Sequence, residues 1–449
     1  MKISKRSESV LSIIPKIKAL PEHLEIIDRL PTGCEQWRFG ATHSGNKASG
    51  EAGQLNSVLR QAACASHWRW PRRPLFFIGD PHADAQAFIA SLVATGGVIK
   101  TGEGPDEFRL TPKGRSSIFV IGGDCLDKGP SNLQLLRAVR HLMQQSKRVK
   151  LLAGNHDVRL LMGIRSLGLK RHPTTEHLFV RMGDKVIPLL KEIQQHYLAG
   201  RKIPRRIPDE DSCRRRLFPS DNWAETFPQA ASHFMSEAAI ERELKRMRRK
   251  LDGFEEACLG AGLSLREVYF IAETCRKLFL KTSGEFAWFY REMQLAYRKG
   301  SFLFVHAGLD DRISECLERK SIKWLNRQFK HCIQHDLFHF YFGPLANTMR
   351  TKYRAADLPL TAQGVQRINN LGIHAVVQGH LNRTQGQRLA LKQGLLHIES
   401  DVTLDRNSRR KEGLGSYGIG VTLIDPKQRI VGISTDYPVA KVFQPESCL

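Results

Sequence analysis

From Leu75 onward the chain alternates short apolar runs with a glycine and a polar residue: Leu75 to Ile78, Ile118 to Ile121, Val149 to Ala153, Phe302 to Val305 and Ala375 to Val377. Continuous apolar runs of this length predict strands buried on both faces. Helical spacing follows the first two. Asp84 is placed to cap a helix carrying Ala85, Phe88, Ile89 and Leu92, and Ser131 one carrying Leu135, Leu136, Val139 and Leu142. Strand, polar loop, helix, strand is the order of an α/β fold, in which functional groups gather beyond the carboxyl ends of the strands. Between Asp157 and Phe302 strand signals give way to helix formers, including Glu237 to Leu251 and Leu263 to Leu280, which predicts a helical insertion. Beyond His380, Leu395 to Ile398, Gly418 to Leu423 and Ile430 to Ser434 predict further, antiparallel strands.

The expected boundaries are an N-terminal extension over 1–70, a first core segment over 71–165, the insertion over 166–295, a second core segment over 296–437 and a C-terminal tail over 438–449. Within the extension a short helix is expected around Leu20 to Leu30 and a loop from Gly40 to Gly53. No internal repeat is visible.

Size and charge narrow the picture. A chain of 449 residues with 41% hydrophobic content can bury a large core. Its net charge of +24 attracts polyanions and anionic substrates. Residues 201–250 hold 13 Lys or Arg against 8 acidic residues, either a solvated helix face or a surface for phosphate, an acidic protein or nucleic acid. Nine cysteines, none in a C-x-x-C pair, fit a reducing compartment. No stretch approaches the roughly 20 apolar residues of a membrane span, so no membrane association and a cytoplasmic location are expected.

The loops after the apolar runs carry the chemistry: Gly79-Asp80-Pro81-His82, Gly122-Gly123-Asp124-Cys125-Leu126-Asp127-Lys128-Gly129, Gly154-Asn155-His156-Asp157, Val305-His306-Ala307-Gly308-Leu309, Gly379-His380 and Ser400-Asp401. Asp80 and His82, two positions apart, can point to one side of a tight loop. Asp124 could bridge two ions through its two oxygens. Asn155 offers a neutral oxygen, and His306 and His380 offer imidazole nitrogens from later strands. Such mixed donors suit Mn, Fe, Zn or Co rather than Ca. A two-ion site of this kind activates water and clamps phosphate. Asp401, just past a later strand, is placed to support the ligands from behind.

These segments resemble the calcineurin-like metallophosphoesterases, marked by G-D-x-H, G-D-x-x-D-R-G, G-N-H-[DE], a later His and G-H. Val305-His306-Ala307-Gly308-Leu309 is similar to the H-G-G-L segment of the phosphoprotein phosphatases and the related diadenosine tetraphosphatases. The likeness covers residues of about 75–160 and 300–435, leaving the extension and insertion outside it. It implies a βαβαβ sandwich of mixed sheets flanked by helices. It also implies one metal held by Asp80, His82 and Asp124, and another by Asp124, Asn155, His306 and His380. Attack would come from metal-bound hydroxide, with His156 as general acid oriented by Asp127. Lys128 stands where the family has a phosphate-binding Arg and gives a point charge in place of a bidentate fork. Ala83-Asp84 replaces the usual glycine after the first histidine. Phe342-Gly343-Pro344 to Arg350 resembles the region of a second phosphate-binding arginine, implying Arg350, or else Arg354.

A dinuclear-metal phosphoesterase hydrolysing phosphate monoesters, of the phosphoprotein phosphatase type, is the reading these residues favour. Hydrolysis of dinucleoside polyphosphates comes next, then a nucleic-acid-binding or nucleic-acid-processing role motivated by the charge. A catalytically dead scaffold is disfavoured by the complete ligand set.

Overall fold

The computed structural model describes Pro15 and residues 23–37, 44–46 and 68–445. The described strands, in chain order, are β1 (Gly33–Gln36), β2 (Ser44–Asn46), β3 (Leu75–Ile78), β4 (Val98–Lys100), β5 (Phe108–Leu110), β6 (Ile118–Ile121), β7 (Val149–Leu152), β8 (Met293–Gln294), β9 (Ala296–Lys299), β10 (Phe302–Val305), β11 (Ala375–Gln378), β12 (Arg388–Lys392), β13 (Leu395–Glu399), β14 (Gly420–Asp425), β15 (Arg429–Ser434) and β16 (Val439–Phe443). Eight form one sheet in the order β1-β16-β15-β14-β3-β6-β7-β8, six a second in the order β2-β12-β13-β11-β10-β9, and β4 pairs with β5. Both large sheets are mixed. In the first, β3, β6, β7 and β8 run parallel, while β14 returns antiparallel beside β3.

The continuous apolar runs are explained by a sandwich. Alternate residues of β3 point opposite ways: Leu75 and Phe77 pack with Ile118 and Val120 against Phe302, Phe304, Val377 and Ile398 of the second sheet. Phe76 and Ile78 instead join the helix-covered core with Phe88, Leu92, Leu136 and Val139. β3 and β6 therefore have a sheet on one face and helices on the other, so a polar residue fits neither side of them.

All five predicted core strands and both predicted caps are present. The Asp84 carboxylate accepts from Ala87 N at 3.1 Å, and Ser131 Oγ from Gln134 N at 3.3 Å. Glu192 of the insertion adds its own carboxylate to the second helix, accepting from Asn132 N at 2.8 Å and Leu133 N at 3.0 Å. The insertion is helical, with its longest helices at Glu237–Gly260 and Leu265–Leu280. Its side chains Cys213, Phe227, Phe254 and Phe279 belong to the same buried cluster as Val158 and Leu161. No helix of the described residues is long and apolar enough to cross a membrane.

Three expectations need correction. Leu395–Glu399 is antiparallel to β12 but parallel to β11, and it lies in a different sheet from β14 and β15. The stretch read as a tail contains β16, an internal strand between β1 and β15, with Ala440 and Phe443 buried. Ser44–Asn46, inside the expected loop of Gly40 to Gly53, pairs with β12; the rest of that loop lies outside the described residues. The short helix expected around Leu20 to Leu30 is found at Leu24–Asp28.

Candidate metal centre

Three of the six candidate ligands, His82, Asp124 and His380, sit on strained backbone just past a strand end, as do Asp127 and Lys128. Left-handed φ values occur at His82 (39°), Asp124 (50°), Asp127 (69°), Lys128 (69°) and His380 (65°). Such conformations cost non-glycine residues of order 1–3 kcal/mol each and persist only where the surroundings enforce them. Enforcement here is backbone-to-backbone: His82 N donates to Asp124 O at 3.0 Å, and Ala83 N to Cys125 O at 2.8 Å, locking the first two loops together. Two glycines let carboxylates lie against the main chain. A Cβ on Gly154 would sit 2.3 Å from Asp124 Oδ1, and one on Gly379 2.0 Å from Asp80 Oδ1.

The predicted ligands converge. Nitrogen and oxygen atoms of His82, Asp124 and His156 lie within 4.8 Å of one another, and so do those of Asp124, His306 and His380. Asp124 is common to both groups. The His306 ring bonds through Nδ1 to Gly122 O at 2.8 Å, which leaves Nε2 facing Asn155 Oδ1 at 3.2 Å and Asp124 Oδ2 at 3.4 Å. His82 is turned likewise, with Nδ1 3.2 Å from Leu126 O and Nε2 3.9 Å from Asp124 Oδ2. A carbonyl on one ring nitrogen fixes the tautomer and frees the other nitrogen for a cation. Asp80 stands between the histidines of the later strands: Oδ2 accepts His380 N at 3.0 Å, and Oδ1 lies 3.8 Å from His306 Nδ1. Asp80 Oδ1 and His380 Nε2 are buried without a hydrogen-bond partner. Buried polar atoms left unpaired are costly, so a donor set of this kind fits divalent metal.

Charge distribution agrees with that fit. Burial, then the Asp401 carboxylate, pushes Asp80 well above the usual carboxylate range. Asp124 is also penalised by burial, but His306 and His156 outweigh it and hold its carboxyl well below that range. His306 is in turn pushed up to about 10: burial opposes its charge, and Asp124 and Asp80 overcome it. The remaining imidazoles go the other way. Burial, followed by Lys128 for His82 and by His306 for His380, keeps those two rings neutral, the form in which imidazole ligates metal.

His156 lies beside this group. Its Nδ1 bonds to Asp127 Oδ2 at 2.8 Å, its backbone N donates to Asp124 Oδ1 at 2.8 Å, and Nε2 is 3.9 Å from Asp124 Oδ2. Arg159, not foreseen from the sequence, donates to Asp127 Oδ2 one helical turn after His156. The signal was present as an i, i+3 spacing on the helix Asn155–Ser166, which places the two residues on one face. Asp157, also missed, accepts from Leu126 N at 3.1 Å and Gly154 N at 3.2 Å, joining the second and third ligand loops. Lys128, expected on phosphate, has its Nζ 2.7 Å from His82 Nε2. Arg350 stands over the Tyr341 ring at 5.3 Å, outside the ligand groups, while Arg354 is exposed and 3.8 Å from Asp357. Asp401 is buried, with Oδ1 accepting Thr403 N at 3.1 Å. It emerges beside His380 because β11 and β13 are parallel neighbours with Gln378 opposite Glu399.

Residues 73–240 match the family model described as calcineurin-like phosphoesterase. The chain carries a calcineurin-like phosphoesterase domain. It is a metal-dependent phosphoester hydrolase. The matched span holds Asp80, His82, Asp124, Asn155 and His156; the fold brings His306 and His380 beside Asp124 from beyond it. No curated protein matches the sequence. Among solved structures, a cold-active protein-tyrosine phosphatase of a psychrophilic Shewanella species is 13% identical, with 83% of this chain and 80% of that one covered at a TM-score of 0.39. A protein serine/threonine phosphatase from Saccharomyces cerevisiae, described as similar to human phosphatase PP5, is 12% identical, with 87% of each chain covered at a TM-score of 0.37.

Proposed function

We propose that this phosphoesterase hydrolyses phosphate monoesters, in the manner of the phosphoprotein phosphatases, with two divalent ions shared through Asp124. The observation that carries the reading is that this one carboxylate is common to two groups of possible ligands, one with His82 and His156 and one with His306 and His380. Asp80 and His82 would complete one ion's ligands, and Asn155, His306 and His380 the other's. Mn, Fe, Zn or Co suits such donors. Ions held there lower the pKa of a water toward neutrality and offset phosphoryl charge.

The chain's own residues do the rest. His156, held through Nδ1 by Asp127, presents Nε2 to the leaving oxygen and donates the proton it needs. Arg159 is a positioning residue: by holding Asp127 it keeps the imidazole aimed. Lys128 would move from His82 to phosphate once that nitrogen binds metal, because the ammonium and the ion compete for one lone pair. Arg350 is the remaining candidate for phosphate, being half-buried with no hydrogen bond or ion pair among the described residues. Asp401 supports Asp80 from behind. The seven described cysteines are all free, which agrees with a reducing, cytoplasmic setting.

Turnover of a phosphoserine peptide and of diadenosine tetraphosphate by the Mn-loaded protein tests this directly. The peptide is expected to be the better substrate; consumption of the nucleotide alone overturns the monoester reading.

A further inference from the structure

We propose that the insertion builds a second anion subsite beside the metal centre, with Lys185 and Lys250 as its specificity-determining residues, for a small substrate carrying another phosphoryl group beyond the one cleaved. The inference rests on the phosphoester reading above and extends it to substrate class.

The turn Val180–Val186 packs against both the helix Asn155–Ser166, whose first turns carry His156 and Arg159, and the helix Glu237–Gly260, which carries Lys250. Gly183 takes a φ of 68° in the middle of that turn, and a Cβ there would meet Lys250 Nζ at 2.8 Å. The Lys250 ammonium donates to Arg181 O, so the helix clasps the turn and fixes where Lys185 emerges. Lys185 is exposed and has no hydrogen bond or ion pair among the described residues. Electrostatically it is within reach of Lys128, Arg159 and Asp127, the groups that contact His82 and His156. Lys250 likewise feels Arg159, Arg181 and Lys185.

The nearby acids are largely committed elsewhere. Asp127 serves His156 and Arg159, and Glu243 is held by Arg181 and Arg246; Asp184 is exposed. Lys128, Arg159, Lys185 and Lys250 therefore form a cationic cluster running from His82 and His156 to the turn; Asp127 and Asp184 are the acids that act on Lys185 and Lys250, while Asp80, Asp401 and Asp405 feel Lys128 alone of the four. Burial, together with Arg159 and Arg181, pushes Lys250 down to about 7, so an arriving anion would relieve a charge the protein holds at a cost. A single phosphoryl group fills the metal centre and leaves these lysines unused. A second one would reach them.

The test uses the metal-loaded full chain and para-nitrophenyl phosphate hydrolysis, with orthophosphate and tripolyphosphate as competitors. Because identical solutions serve every variant, chelation of metal by tripolyphosphate cancels in the comparison. Lys185→Gln/Lys250→Gln is expected to weaken tripolyphosphate competition about tenfold or more, the worth of a lost charge-assisted hydrogen bond, while orthophosphate competition and kcat/KM for the nitrophenyl ester stay unchanged. Lys185→Gln alone, at an exposed position, should give a smaller loss in the same direction and guards against misfolding of the double variant. Unchanged tripolyphosphate competition, or an equal loss for both competitors, overturns the subsite. If the ester is not turned over at all, the monoester reading fails, and calorimetric titration of tripolyphosphate into the same proteins still decides the subsite by the same ratio.

Discussion

His156 is adjacent to both a metal-ligand group and a carboxylate, and the two neighbours assign it different roles. Its Nε2 lies 3.9 Å from Asp124 Oδ2, near enough to share an ion, whereas its Nδ1 is tied to Asp127 in the arrangement of an oriented proton donor. His156→Ala separates the two. As a proton donor its loss should slow turnover by about 10² to 10⁴ with metal content unchanged by elemental analysis; loss of an equivalent of metal would make it a ligand. Asp124→Ala, by contrast, removes the one carboxylate common to both groups and should cost metal and activity together, and full activity in that variant would end the two-ion account. Residues at this scale were legible wherever ligand and glycine occur as a unit, as in Gly79-Asp80 or Gly154-Asn155-His156, because each glycine admits a neighbouring loop at close range, Ser400 O at Gly79 and Asp124 at Gly154. Arg159 was legible only as a helical neighbour of His156, since the carboxylate it holds, Asp127, is 32 positions away and only the fold makes the two neighbours.

At the scale of elements, the helix Glu237–Gly260 shows what charge counting misses. Its basic run reads as a solvated face, yet Glu243 is 2% exposed and receives Arg181 at both carboxylate oxygens. His177 lies 3.9 Å from the same carboxylate among the rings of Trp223, Phe227 and Phe342. Burial opposes the charge of Glu243, but Arg181 outweighs it and holds the carboxyl at about 2, while burial pushes His177 down to about 4. Both groups bind fewer protons folded than unfolded, Glu243 between its ordinary 4.5 and about 2, His177 between 6.5 and about 4. Stability should therefore fall as pH drops from 6.5 to 4 through His177, and again below 4.5 through Glu243. His177→Phe keeps a ring in the box and should flatten the first decline in the melting midpoint while a decline below 4.5 remains, because Arg181 still holds Glu243. Arg181→Leu should destabilise by about 3–5 kcal/mol in denaturant unfolding at neutral pH, because it removes the buried partner of the Glu243 carboxylate and leaves only the half-exposed Arg246. The apolar strands were legible because both their faces are dry. β12 was not, because Arg388 and Lys392 flank its apolar residues, and the Glu399 carboxylate that offsets both charges comes from the next strand.

For the molecule as a whole, the sandwich is closed by the two ends of the described chain, since β16 enters the first sheet between β15 and β1. Lys441 explains both why β16 escaped the sequence reading and why it matters. Its charge interrupts an otherwise apolar strand, but in the fold it is 1% exposed, donating to Gln385 O at 2.6 Å and Gln387 O at 2.9 Å on the approach to β12 of the other sheet. Gln387 completes the stitch by donating to Val421 O at 3.1 Å and Ile433 O at 2.9 Å of β14 and β15. Opening this seam would loosen β13 against β14, and with it the loop that carries Asp401 behind Asp80. Removing residues 438–449 should therefore abolish cooperative melting, whereas a dispensable tail would leave the melt unchanged. Lys441→Met is the milder test: it keeps the apolar stem but leaves the buried Gln387 carbonyl unpaired, at a cost of about 1–3 kcal/mol, while the exposed Gln385 can turn to water. A lowered melting midpoint with ligand metal still bound at neutral pH is the expected result, and an unaltered midpoint would show that the seam does not hold the sheets together.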